Sequence, residues 1–136
     1  MIDKIEENPN LKDVNVVVVG SGYVGLPLAV LRTLQGATVS VVDIDEEKIK
    51  KLQEGMPPFY EKGLPEFLSE AIDTGRISFH TDLTEVVGSA NAIYSCVGTP
   101  QSEDGSANLV ALDDIGQKLG KSIEEGQEVL VIQTST

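Results

Sequence analysis

The hydrophobic positions of this chain alternate between two rhythms. Val14–Val19 is an aliphatic segment, and its stretch Val16 to Val19 is unbroken and β-branched, which predicts a strand buried on both faces. It stops at Gly20. Beyond it Val24, Leu28, Leu31 and Leu34 recur at helical spacing up to Gly36, a suitable C-terminal stop. Pro27 falls near the first turn of this helix, where a missing N–H is tolerated. Thr38–Val42 predicts a second strand that closes on Asp43, and Asp45 is placed to cap a helix over Glu46–Gln53. The segment from Gly55 to Pro58 interrupts the pattern. A helix is predicted over Gly63–Thr74, with Leu64, Phe67, Leu68 and Ala71 on one face, followed by a short strand at Ile77–Thr81. Asp82 or Thr84 caps a brief helix through Val87, and Ala92–Val97 is a strand. After a polar loop at Gly98–Asn108, apolar residues at 109, 112, 115, 119 and 123 predict a helix over Leu109–Ile123, and Glu128–Ile132 is the last strand. Residues 1–13 form a polar lead-in with one helical turn before Pro9.

Strands that alternate with helices predict a parallel sheet with crossover connections, an α/β domain over residues 14–136. At its first crossover stands GSGYVG, Gly20 to Gly25, which fits G-x-G-x-x-G directly after a buried strand and at the opening of a helix. Each glycine has its own reason. Gly20 permits the tight turn, Gly22 lets a pyrophosphate approach the backbone, and Gly25 lets the helix pack on the strand. The helix N-terminus offers N–H groups and a positive dipole to phosphates. Asp43, at the end of the second strand, accepts ribose hydroxyls and repels a 2′-phosphate, which argues for NAD over NADP. A tight turn and a helix cap would use the same residues without a ligand, but the order strand, glycines, helix, strand, acid favours the dinucleotide. Lys48 by itself reads as a solvated helix lysine.

Composition narrows the classes. The chain has 136 residues, enough for one domain, and a net charge of −12 from 10 Lys+Arg against 22 Asp+Glu. That balance disfavours nucleic acid and anionic membrane as partners. No apolar run has the length of a membrane span, and the acidic N-terminus does not resemble a targeting peptide, so a cytoplasmic location is expected. A single cysteine excludes an internal disulfide and a cysteine metal cluster. Cys96 reads as a small buried hydrophobe, because nothing basic adjoins it to stabilise a thiolate. His80, alone among polar residues at a strand end, gives neither a metal site nor a triad. Glu61, Glu66 and the acids at 43, 45, 46 and 47 are explained by helix N-terminal charge, so no metal is expected.

Six phrases resemble the UDP-glucose/GDP-mannose dehydrogenase family: GSGYVGLPLA (20–29), VVDIDEEKIKKLQEG (41–55), PPFYEKGLPEFL (57–68), TDL (81–83), CVGTPQSEDGSANL (96–109) and VIQTST (131–136). They span nearly the whole chain in the family's order. The resemblance implies a Rossmann-type doubly wound parallel sheet, cut short after about five strands. It implies NAD as cofactor, held at Gly20, Ser21, Gly22, Tyr23, Val24 and Gly25 for the pyrophosphate and at Asp43 and Lys48 for the adenosine ribose. Val97, Gly98, Thr99, Pro100 and Gln101 would line the cofactor, Ser135 would touch it, and Thr136 would help orient a hydrolytic water. Such enzymes oxidise the C6 hydroxymethyl of a nucleotide sugar to a carboxylate with two NAD, trapping the aldehyde on a cysteine, in the service of polysaccharide biosynthesis. The phrases look most like those of enzymes acting on UDP-glucose.

In that family the nucleophilic cysteine, a catalytic lysine, the sugar-nucleotide domain and the helix used in dimers lie further along the chain. The 136 residues are therefore expected to be a catalytically inactive piece of a longer, homo-oligomeric protein. Two other readings compete: a stand-alone NAD(H)-sensing module, and the cofactor domain of a β-hydroxyacid dehydrogenase. The phrases at 57–68 and 96–109 speak against the latter.

Overall fold

In the computed structural model, which describes residues 6–96 and 130–133, the β-branched run forms strand β1 (Asn15–Val19) at the centre of a five-stranded sheet. Its other strands are β2 (Thr38–Val42), β3 (Ile77–His80), β4 (Ala92–Ser95) and β5 (Leu130–Gln133), in the order β3-β2-β1-β4-β5. Every neighbouring pair is parallel, and Val18 stands between Val41 on one side and Tyr94 on the other. Helix α1 (Gly25–Leu34) links β1 to β2, while α2 (Glu46–Gln53) and α3 (Leu64–Asp73) lead from β2 to β3. This is the Rossmann-type α/β arrangement that the alternation of strands and helices predicts. No helix among the described residues is long and apolar enough to cross a membrane.

The period of two in β1 divides the core. Val16 and Val18 face a cluster with Leu26, Ala29 and Val30 of α1, Ile49 and Leu52 of α2, and Leu64, Leu68 and Ala71 of α3. Val17 and Val19 face the opposite side, where they meet Val42, Leu83, Val87, Ala90 and Ile93. Burial on both faces is why the run reads VVVV and does not alternate with polar residues. Pro27 is the third residue of α1, and the N–H groups on either side of it still close onto Gly22 and Val24, at 3.1 and 3.3 Å.

Several boundaries differ from expectation, each for a local reason. The turn foreseen before Pro9 lies at Pro9–Leu11, because a proline opens a helical turn more readily than it ends one, and the Asn8 side chain caps it. β1 starts at Asn15 because the Val14 N–H closes the preceding turn on the Leu11 carbonyl. α3 begins after Gly63, whose φ of +86° is left-handed, and ends before Thr74, its C-cap. β3 stops at His80, and β4 stops at Ser95, although the Cys96 N–H still donates to the Val19 carbonyl at 2.8 Å. The brief helix expected through Val87 is two 3-10 turns, Leu83–Glu85 and Val87–Ser89, and Asp82 rather than Thr84 caps the first. The last strand is described over Leu130–Gln133, overlapping the expected Glu128–Ile132. The loop at 98–108 and the helix at 109–123 lie outside the described residues.

Candidate functional site

From β1 the chain builds outward through β2 to β3, then returns to place β4 on the other side of β1. Open α/β sheets bind ligands at this switch point, outside the carboxyl ends of the strands. The glycine segment follows β1 there. Gly20 has a φ of +99° and its N–H donates to the Val42 carbonyl at 2.7 Å, so the turn is tied to the end of β2. A Cβ on Gly25 would overlap the Gly20 carbonyl oxygen and come within 3.2 Å of the Cys96 Cβ. Only glycine lets α1 start this close to the strand ends. A Cβ on Gly22, by contrast, would meet nothing within 4 Å among the described residues. It would project into open space before the start of α1, whose N-cap, Val24, makes no side-chain capping bond. An uncapped helix start behind an open glycine is an arrangement that fits an anion, and a dinucleotide pyrophosphate in particular.

Asp43 completes the other side. Its Oδ2 accepts from the Ser21 N–H at 3.0 Å and from the Ser21 hydroxyl at 2.6 Å, and its Oδ1 accepts from the Asp45 N–H at 2.9 Å. Partial burial by itself would raise the pKa of this carboxyl. The Ser21 hydroxyl, the two N–H groups and the charge of Lys48 outweigh it and hold the pKa below its ordinary value. Asp43 is therefore an anion at neutral pH. Lys48, whose charge acts on this carboxylate, stands in the first turn of α2, a helix capped by the Asp45 side chain through the N–H groups of Glu47 and Lys48. The structure thus gathers Gly20–Gly25, Asp43 and Lys48 at one end of the sheet.

Within that group the side chains divide. Ser21 is wholly buried and turned to Asp43, whereas Tyr23 is 75% exposed. The Tyr23 ring packs on Phe59 with centroids 4.4 Å apart and planes inclined by 37°, which links the glycine segment to the stretch before α3. Neither contact has a signal in the sequence, since each joins residues distant along the chain. His80, read as solitary, has partners: its Nε2 lies 2.8 Å from Ser78 Oγ and its Nδ1 3.7 Å from a Glu85 carboxylate oxygen. Cys96 is buried, as expected, just beyond β4 and against the glycine turn. The other sequence-derived positions, Val97, Gly98, Thr99, Pro100, Gln101, Ser135 and Thr136, lie outside the described residues.

The UDP-glucose 6-dehydrogenase YwqF of Bacillus subtilis is 35% identical to this chain over 122 residues, which are 90% of this chain and 27% of that protein. A UDP-glucose dehydrogenase from the hyperthermophilic archaeon Pyrobaculum islandicum superposes with a TM-score of 0.87 at 35% identity, over 95% of this chain and 30% of the other. A GDP-mannose dehydrogenase from Pseudomonas aeruginosa, solved as a ternary complex, gives a TM-score of 0.84 at 32% identity, over 89% and 28%. The chain spans about a quarter of the length of the curated relatives it matches. Residues 14–136 match the model of the NAD binding domain of the UDP-glucose/GDP-mannose dehydrogenase family. A glycine turn open to an anion, an ionised acid at the end of β2 and this match agree: the chain belongs to the UDP-glucose/GDP-mannose dehydrogenase family, as its NAD-binding domain.

Proposed function

We propose that this chain holds NAD for an oxidoreductase that converts the C6 hydroxymethyl of a nucleotide sugar, UDP-glucose foremost, to a carboxylate. The observation that carries the reading is the open space over Gly22, before the uncapped start of α1 and beside the ionised Asp43. Gly20–Gly25 form the cradle of the pyrophosphate at the positive end of the α1 dipole, the Gly20 and Ser21 N–H groups being held by Val42 and Asp43. Asp43 and Lys48 hold the adenosine ribose, and the Asp43 charge repels a 2′-phosphate. Val97–Gln101 line the cofactor, Ser135 contacts it, and Thr136 orients the hydrolytic water. When bound, NAD supplies hydride acceptance, which side chains cannot provide. UDP-glucose is preferred as substrate because relatives on both sides of the comparison bear that name. The domain extends over residues 14–136 and serves a cytoplasmic homo-oligomer, with a small nucleotide sugar and neither nucleic acid nor membrane as partner.

The one cysteine, Cys96, is buried against the glycine turn and presents no thiol to an aldehyde. The chain alone therefore binds NAD and leaves UDP-glucose unoxidised. Calorimetric titration with NAD and then NADP at one salt concentration tests the cofactor assignment. NAD binds at least about tenfold tighter than NADP, as expected for one charge repulsion of roughly 1.4 kcal/mol or more. Equal affinities would overturn the role of Asp43, and NADH formation from UDP-glucose by this chain would overturn its inactivity.

A further inference from the structure

The Ser21–Asp43 contact has a geometry that the assignment of Asp43 to the ribose does not by itself require. Both polar groups of Ser21, the N–H and the hydroxyl, donate to the same carboxylate oxygen, Oδ2, at 3.0 and 2.6 Å. Ser21 is 0% exposed, so its hydroxyl makes this bond away from competing water. Oδ1 accepts only the Asp45 N–H among the described residues, at 2.9 Å. A carboxylate offers about four acceptor positions, two on each oxygen. Ser21 fills both on Oδ2, and Asp45 fills one on Oδ1. The acceptor position that remains is on Oδ1, facing away from Ser21.

We infer that Ser21 is a positioning residue: its buried hydroxyl locks the Asp43 carboxylate in one orientation, presents Oδ1 alone to the adenosine ribose, and thereby sets the preference for a ribose hydroxyl over a 2′-phosphate. The inference rests on the NAD reading above and gives the Ser21 side chain a role of its own within the glycine segment, exerted through Asp43. A hydroxyl-to-carboxylate bond of this length is charge-assisted and about twice as strong as a neutral one. Without it the carboxylate keeps only its two N–H partners and is free to swing away from an incoming phosphate. The other charged groups near Asp43 are Lys48 from α2 and Asp45 in the intervening turn. From β3 comes the His80 carbonyl, which accepts the Asp43 N–H at 3.1 Å, while the His80 ring is turned to Ser78 and Glu85. Among the described residues only the Ser21 N–H and hydroxyl donate to Oδ2.

The test compares this chain with Ser21→Ala and Ser21→Cys, the latter filling the space with a weak donor. Each is checked for folding by circular dichroism and titrated with NAD and NADP. In both variants the ratio of NADP to NAD dissociation constants falls by about tenfold, as expected for one charge-assisted hydrogen bond. In both, the carbon-detected NMR titration of the Asp43 carboxyl, without cofactor, moves up towards the ordinary range. A loss shared equally by the two cofactors, or a wild-type ratio in Ser21→Cys, would mean that Ser21 only fills space and would overturn the inference. In the unaltered protein the Ser21 hydroxyl proton is visible by NMR, slow to exchange, and persists when NAD is added. Its absence, or its loss on NAD addition, would overturn the inference even if neither variant folds. If the unaltered chain binds no NAD at all, the cofactor reading itself fails and this inference with it. A failure of the inference alone leaves NAD binding intact.

Discussion

A methyl group added at Gly22 enters open space, whereas at Gly25 it overlaps the Gly20 carbonyl oxygen. Gly22→Ala therefore folds with an unfolding free energy within about 0.5 kcal/mol of the parent and, on the proposed NAD reading, binds NAD at least about tenfold more weakly, since the methyl would take the space proposed for the pyrophosphate. Gly25→Ala gains about 1 kcal/mol of helix propensity but forces backbone apart, and it loses about 3 kcal/mol or more overall. Urea unfolding of both variants, with calorimetry on the first, checks this contrast. Asp43 has a pKa lowered by folding, so its contribution to stability is complete above the ordinary carboxylate range. It is lost as pH falls through the lower folded value. Asp43→Asn accordingly destabilises the protein at neutral pH, and its deficit shrinks towards zero at strongly acid pH. A deficit constant with pH would refute the ionised role. The glycines and Asp43 are legible in the sequence because their spacing follows from one strand-turn-helix geometry. The Ser21 hydroxyl is not, because its partner lies 22 residues away and depends on how β2 ends beside β1.

The secondary elements vary in how much their local sequence determines. α2 is specified from within: Asp45 caps it, Glu46 and Glu47 stand in its first turn, and Lys50 and Lys51 in its last, all in agreement with the helix dipole. Asp45→Ala removes the bonds to the Glu47 and Lys48 N–H groups and costs about 1 kcal/mol in denaturant unfolding. It also frees the amide of Lys48 next to the site. α1 has no such side-chain cap, and its start is fixed by the close packing of Gly25 on Gly20. Its N-terminus is thus available to a ligand for the same reason that it is poorly specified locally. The capping residues Asp82 and Thr84 predict one brief helix after β3, where the structure has two 3-10 turns. The chain is too short there to sustain an α-helix, and tertiary packing of both side chains under the sheet decides the outcome.

For the molecule as a whole, parallel topology was legible from the alternation of strands and helices and from strands that are apolar on both faces. The order of the strands was not, because the return of β4 to the far side of β1 depends on pairing between residues far apart along the chain, from Val16 with Ala92 to Val19 with Ser95. The net charge of −12 acts at this scale too. Self-repulsion opposes the compact state and is screened as the Debye length shrinks from about 30 Å at 0.01 M salt to about 8 Å at 0.15 M. The melting temperature therefore rises over that range, and a scanning-fluorimetry series with an uncharged osmolyte control would detect a flat response if repulsion were unimportant. The stacking of Tyr23 on Phe59 has an optical consequence. The chain contains no tryptophan and three tyrosines, so its ultraviolet emission is that of tyrosine alone. One of those three fluorophores sits on the glycine turn, three-quarters exposed, so the brightness of this chain is expected to change when NAD enters the proposed cradle.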